Sequence, residues 1–262
     1  MGKDHFSTRL RTLALLTALS FTAILGIRGL TPDDSSTKAK GSAQAEVEIK
    51  NETESLQVVS KASVKDRFIN LSLKNSSDKP ITAFVVAFGR NKVTEEFIHD
   101  ESKFVLPGNT CTKTYPLSPG TPTPEFRIRA VVFDDGTGEG NVNDVRAITE
   151  TRLGQAMQYR RFLTALKEIE DASEFQLPSA WGRLKEKVSS FPDGKSEPLP
   201  VNVRYGLHTG KQDLTDEVQS LDLNPASSDQ IRRLVKDLKA RYIKIVPRYS
   251  PNKDSLTPAR EM

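Results

Sequence analysis

A segment rich in oxygen ligands and glycine, Asp134–Asn141 (DDGTGEGN), has residue types that could support chemistry. A glycine loop between a strand and a helix can cradle phosphates, but Asn141 stands where the third glycine of the dinucleotide pattern belongs. The neighbouring carboxylates would also repel a pyrophosphate. Clustered carboxylate and amide oxygens are instead the ligands that calcium prefers. The candidate calcium ligands are Asp134, Asp135, Glu139, Asn141, Asn143 and Asp144.

A structural role for the same segment stays open beside the calcium hypothesis. If Asp135 is taken as the first EF-hand ligand, Arg146 falls where the bidentate glutamate belongs, so the EF-hand spacing fails. The alternative is a turn that leaves the last strand, with Asn141 or Asn143 capping a long helix. The metal, if any, is therefore unknown, and the sequence predicts no cofactor.

Side chains that could act as nucleophiles or bases are scarce, and no G-x-S-x-G, H-E-x-x-H or paired-cysteine motif is present. His99 stands in the sequence HDES, but neighbours along a strand point to opposite faces, so their adjacency does not make a triad. We expect His99 to be a surface residue at a strand end. Cys111, the only cysteine, excludes an intramolecular disulfide. Its alternation with two threonines predicts a small core residue.

A basic surface is predicted near the C-terminus, where residues 232–262 carry a net charge of +6. On a helical wheel Arg232, Lys236 and Lys239 cluster beside an apolar stripe. Such a helix could lie against anionic lipid headgroups or an acidic polymer. The alternative is a solvated face on a helix that packs through its stripe.

Short strands separated by turns are predicted from Glu46 to about Phe133. Ile81–Phe88 is apolar on both faces, which suits a central strand. With no helical pattern between them, the strands predict an antiparallel immunoglobulin-like β-sandwich. The seven predicted strands are Val47–Lys50, Gln57–Val64, Phe68–Leu73, Ile81–Phe88, Val93–Ile98, Thr110–Tyr115 and Phe126–Phe133.

The apolar period changes near residue 140, from every second residue to every third or fourth, which is typical of helices. Ser227 with Gln230 forms a capping box at the last of these helices. The four predicted helices run from Asn141 to about Asp171, after Pro178, through a stretch weakened by Gly206 and Gly210, and from Ser227 to Pro247.

The N-terminus has the pattern of an export signal, in which basic residues precede the apolar run Leu13–Ile27. As a helix this run spans roughly 22 Å, short of the roughly 30 Å hydrocarbon core, which favours a cleaved signal. No small-x-small site follows closely, which favours an anchor through residues 10–30. Either outcome places the rest outside the cytoplasm, in the periplasm or at the cell surface.

The basic composition of the whole chain is no argument for nucleic acid. Residues 1–28 contribute +3 of the net charge of +4, so the exported part is close to neutral.

Two short motifs carry a resemblance to a known group. The turn Asn75–Ile81 (NSSDKPI) and the strand end Val131–Thr137 (VVFDDGT) resemble those of uncharacterised exported bacterial proteins. In these proteins an immunoglobulin-like sandwich is followed by a helical tail. The resemblance covers Phe68–Gly140 and implies a sandwich and a bacterial origin, but no activity.

The sequence therefore predicts an α+β protein: leader (1–30), linker (31–45), β-sandwich (46–140), region of about four helices (141–246) and disordered tail (247–262). We expect an exported or membrane-tethered binding or structural protein of the bacterial cell envelope, without catalysis, whose partner is an unknown protein or envelope component. One alternative is a hydrolase with an unfamiliar or metal-dependent site at residues 134–144. Another is a membrane-surface or polyanion adaptor that acts through the basic helix. The helices also allow a homo-oligomer.

Overall fold

The computed structural model of the chain describes residues 47–59, 63–65, 68–116, 125–221 and 227–249. These residues all belong to one compact unit, Gln44–Met262. The predicted leader and linker, and residues 250–262 of the predicted tail, lie outside the described ranges. Within those ranges, no helix combines the length and apolarity needed to cross a membrane.

Two mostly antiparallel sheets form the N-terminal part of the described chain. Their strands are β1 (Ile49–Asn51), β2 (Leu56–Val58), β3 (Ser63–Lys65), β4 (Phe68–Asn75), β5 (Ile81–Phe88), β6 (Asn91–Glu96), β7 (Thr110–Pro116), β8 (Phe126–Phe133) and β9 (Gly138–Gly140). The first sheet has the order β1-β8-β5-β6, with β9 also paired to β8, and the second has β2-β4-β3, with β7 also paired to β4.

The strand predictions hold for the longer elements and fail in three details. The predicted strand Gln57–Val64 is two separate strands, β2 and β3, and the short strand β9 was not predicted. β1 pairs with β8 in parallel, whereas a wholly antiparallel arrangement was expected. All three details involve strands of three residues, whose side chains are too few to establish a period.

The two sheets share one apolar core. Phe84 and Phe126 of the first sheet are fully buried in the same cluster as Leu71 and Leu73 of the second. The opposite face of β5 packs Val85 against Ile148 of the helix that follows β9. β5 is therefore buried on both faces, which confirms its prediction as a central strand.

The C-terminal part of the described chain contains five helices, one more than predicted. They are α1 (Val142–Glu170), α2 (Leu177–Gly182), α3 (Leu184–Ser189), α4 (Val201–Ser220) and α5 (Ser228–Tyr249). The predicted second helix is divided at Arg183, but its predicted apolar residues Trp181, Leu184 and Val188 are all buried.

The sequence predicts that the last helix ends at Pro247, but α5 continues beyond this residue. Pro247 lies inside the helix, which continues to the fully buried Tyr249. A proline in a helix removes one hydrogen bond and crowds the preceding turn. Burial of the Tyr249 ring among the helices compensates for this cost and keeps the last turn helical. Residues 247–249 therefore do not belong to a disordered tail.

α1 and α4 run in the same direction and cross at unusually close range. A Cβ atom on Gly154 of α1 would collide with the backbone oxygen of Val203, and one on Gly206 of α4 would collide with that of Thr151. We expected Gly206 to weaken its helix. Instead, the missing side chain lets the two backbones touch.

Candidate functional site

The start of α1 joins the helices to the first sheet. The Oδ1 atom of Asn141 accepts hydrogen bonds from the backbone N–H groups of Asn143 (3.1 Å) and Asp144 (3.3 Å), so Asn141 caps the helix. Asp144 is 4% exposed and accepts from the Arg129 Nε atom (2.6 Å) and the Lys92 Nζ atom (3.0 Å). Its two carboxylate oxygens are thus both used by strand residues.

Two turns further along the same face of α1, Arg152 enters the junction as a buried cation, 2% exposed. Its Nη2 atom donates to the Oε1 atom of Glu96 on β6 (2.7 Å) and to the Oγ1 atom of Thr82 on β5 (3.0 Å), and its Nε atom donates to Glu96 Oε2 (3.2 Å). Arg152 Nη1 is buried and has no partner among the described residues. This bidentate pair ties α1 to the sheet.

A cluster of buried tyrosines continues from Arg152 between α1 and α5. The Tyr159 hydroxyl donates to the Oδ2 atom of Asp213 (2.9 Å), and the Tyr159 ring contacts those of Tyr242 and Tyr249. Burial raises the pKa of all three tyrosine hydroxyls. They therefore remain protonated hydrogen-bond donors at physiological pH.

His99 contacts this cluster and not its sequence neighbours. It is exposed, as predicted, and its Nε2 atom lies 2.7 Å from the Tyr249 hydroxyl. The Oδ1 atom of Asp100 instead accepts from the Ser102 hydroxyl (2.6 Å) and backbone N–H (3.1 Å), which caps the short 3-10 turn Glu101–Lys103. The three side chains do not form a catalytic relay.

The acidic turn before α1 directs its carboxylates to separate partners. Asp135 accepts from Lys79 Nζ (2.7 Å), and Glu139 accepts from the Ser55 backbone N–H (2.7 Å) and hydroxyl (2.9 Å). Asp134 is exposed. In the described ranges, no group of three or more His, Cys, Asp or Glu side chains could hold a metal ion. The described residues of this turn therefore form no assembled site of the kind that the calcium and hydrolase hypotheses require.

Cys111 lies on β7, half-buried against the shared core of the sheets, which confirms its predicted orientation. Burial raises the pKa of its thiol. We expect iodoacetamide to alkylate the folded protein at pH 7.5 much more slowly than the urea-unfolded chain, because the reactive thiolate is disfavoured in the fold. Mass spectrometry of timed samples measures both rates; equal rates would contradict the assigned burial.

α5 packs through its predicted stripe and leaves a basic face outside. Ile231, Val235, Leu238 and Tyr242 are buried, whereas Leu234 and Ile245 are partly buried against the same core. Of the three cations predicted to form a surface, Arg232 and Lys236 are exposed, whereas Lys239 is partly buried and forms an ion pair with Glu170 of α1.

An open groove of about 970 Å³ lies between the C-terminal end of α1 and the helices α2 and α3. Phe175, in the loop between α1 and α2, stands at this groove with 96% of its surface exposed. The apolar residues of the groove are Ala165, Ile169, Ala172, Phe175, Ala180 and Leu184.

The basic face of α5 and the groove are thus two surfaces of the described chain with side chains available to a partner. No family model, curated protein or solved structure matches this chain.

Sequence reasoning missed two of these features. Arg152 follows Ile148 and Asp144 at intervals of four residues, which places it on the buried stripe of the helix. A charged residue on such a stripe was the signal that could have indicated a buried ion pair. Phe175 is a large aromatic residue within the polar loop between two helices. Neither signal identifies a partner, because Glu96 and the groove residues come from other elements.

Proposed function

We propose that this chain is an exported or membrane-tethered binding protein of the bacterial cell envelope, and that it acts without catalysis. The observation that carries the proposal is the basic face of α5. Arg232 and Lys236 are exposed there, and Lys244 is exposed roughly 80° further around the helix at about 100° per residue. None of the three forms an ion pair with any described residue. By contrast, the nearby Arg241 is engaged by both carboxylate oxygens of Glu217.

The chemistry of this face fits anionic lipid headgroups. Arg232, Lys236 and Ile243 fall within roughly 40° of one another at about 100° per residue. Ile243 is 56% exposed and gives the basic face an apolar contact. A Lys or Arg near an anionic bilayer contributes about 1 kcal/mol of binding free energy. The predicted leader supports this choice of ligand, because it would hold the protein close to the membrane.

The finer fold assignment is part of the same proposal. The two sheets enclose a common core, with Ile69 and Tyr115 from one sheet and Val86 and Ile128 from the other. This arrangement, the short antiparallel strands and the motif resemblance support an immunoglobulin-like sandwich. Such a sandwich would serve as a rigid support for the helices.

We expect a protein spanning residues 44–262 to cosediment with vesicles of phosphatidylglycerol and phosphatidylcholine, but not with phosphatidylcholine alone. The triple change Arg232→Glu, Lys236→Glu and Lys244→Glu should lower the partition coefficient at least about 100-fold, because three favourable charges of about 1 kcal/mol each become repulsive. Binding should also weaken with added salt. Vesicle sedimentation at several salt concentrations measures both effects.

The matched control changes the same net charge elsewhere, with Lys74→Glu, Lys103→Glu and Lys195→Glu, all exposed residues outside α5. This control should keep most of the binding. Equal loss in the two triple variants, or no binding by the unmodified protein, would contradict the role of α5. Deleting α5 is not a usable test, since its apolar stripe belongs to the helical core.

A further inference from the structure

The groove between α1, α2 and α3 combines a projecting aromatic residue with an apolar depression. Phe175 is 96% exposed, although a fully exposed phenylalanine leaves a large apolar area in water. Beside it in the groove, Ala172 and Ala180 are partly buried, and the buried side chains of Ile169 and Leu184 form the floor beneath them. An aromatic residue that enters such a depression is a frequent anchor of protein interfaces.

A two-fold interface requires a surface patch that is complementary to itself. A patch with both a projection and a depression meets this requirement. In an isologous dimer the same patch is used by both copies, so a residue on it must meet its complement on that patch. Phe175 of one copy would fill the groove of the other, and the reverse contact would form at the same time.

The charges around the groove are self-complementary as well. Lys187 is paired with Glu168 at 2.8 Å. Arg183, Asp171 and Glu186 are exposed groove residues that make no ion pair with any residue in the described part of the chain. A strongly acidic or strongly basic partner would be repelled by one sign, whereas a second copy offers each charge its opposite.

We propose that this groove is the interface of a homodimer, with Phe175 of each copy inserted into the groove of the other and Arg183 facing the acidic residues Asp171 and Glu186 across the interface. The sequence allowed a homo-oligomer through the helices, and the proposal assigns a specific surface to it. It does not depend on lipid binding, because the lipid-binding face lies on a different helix, α5.

The test exchanges charges across the interface in the full-length chain, purified in detergent micelles. One variant carries Arg183→Glu, and the other carries Asp171→Arg with Glu186→Arg. Each variant alone should be monomeric at tens of micromolar, because like charges then face each other, whereas the unmodified chain and an equimolar mixture of the two variants should be dimeric. Size-exclusion chromatography with light scattering reads the molar mass of the protein component.

The apolar contact is tested with Phe175→Ser, which should raise the dimer dissociation constant at least about 30-fold. Val201→Ser is the matched control, since Val201 is 68% exposed on α4, outside the groove. It should leave the dimer intact. A monomeric unmodified chain, a charge variant that stays dimeric alone, or a mixture that stays monomeric would each overturn the proposal and leave the groove to a different partner.

Discussion

Replacing Gly206 with alanine is expected to destabilise the protein by about 3 kcal/mol, although alanine is the better helix former by about 1 kcal/mol. The added Cβ atom would collide with the backbone oxygen of Thr151 on α1. A backbone atom cannot rotate away as a side chain can, so α1 and α4 would have to separate. Urea unfolding followed by the fluorescence of the buried Trp181 and by circular dichroism measures the change.

Gly182→Ala is the matched control for this substitution. Gly182 also lies in a helix, α2, but a Cβ atom there would meet no atom within 4 Å apart from its chain neighbours and its own helix backbone. We expect this variant to be as stable as the unmodified protein, or more stable by up to about 1 kcal/mol. If Gly206→Ala and Gly182→Ala had the same unfolding midpoint, the close crossing of α1 and α4 would be wrong.

The second large effect is expected at the ion pair between Glu96 and Arg152. Glu96→Gln removes the negative charge and leaves the buried Arg152 cation without compensation, which should cost about 3 kcal/mol. Arg152→Met should cost less, because Glu96 keeps 28% of its side chain exposed and can be hydrated once its partner is gone. Thermal and urea unfolding of both variants establish the order.

An exposed ion pair provides the control. Arg127 and Glu125 interact at 2.7 Å, but their side chains are 43% and 41% exposed. Glu125→Gln should therefore change the free energy of unfolding by less than about 1 kcal/mol. A loss on Glu96→Gln no greater than that on Glu125→Gln would show that Arg152 is hydrated and that the pair does not connect α1 to the sheet.

The two proposed surfaces depend on these buried contacts, because both belong to the helices. α5 contributes Val235 and Leu238 to the same core as Trp181 of α2 and Leu184 of α3. The basic face and the groove are therefore fixed relative to each other by packing. Changes to exposed residues can test either surface without disturbing this core.

The longer elements were predictable because their signals are local. β5 and β8 were predicted with the bounds that the structure has, and α1 was predicted within one residue at each end. Alternation and three–four spacing are properties of neighbouring residues, so they can be read without knowledge of the fold. The cap at Ser227 follows the same logic, since its hydroxyl accepts from the Gln230 backbone N–H at 3.3 Å.

At the positions that were mispredicted, the effect of a residue on its helix depends on contacts with residues far away in the chain. Gly206 weakens an isolated helix, but at the α1–α4 crossing it permits contact with Thr151. Pro247 would end an isolated helix, but the buried Tyr249 after it keeps the last turn in place. In both cases tertiary packing outweighs a propensity of about 1 to 3 kcal/mol.

The sequence by itself determined the order of strands and helices, the inward faces of the long elements and the positive charge of α5, because each is encoded in residues close together in the chain. Only the tertiary structure decided which charges remain available to a partner. Lys239 is taken by Glu170, whereas Arg232 and Lys236 stay exposed. That difference depends on a carboxylate 69 residues away along the chain, which no local pattern can place.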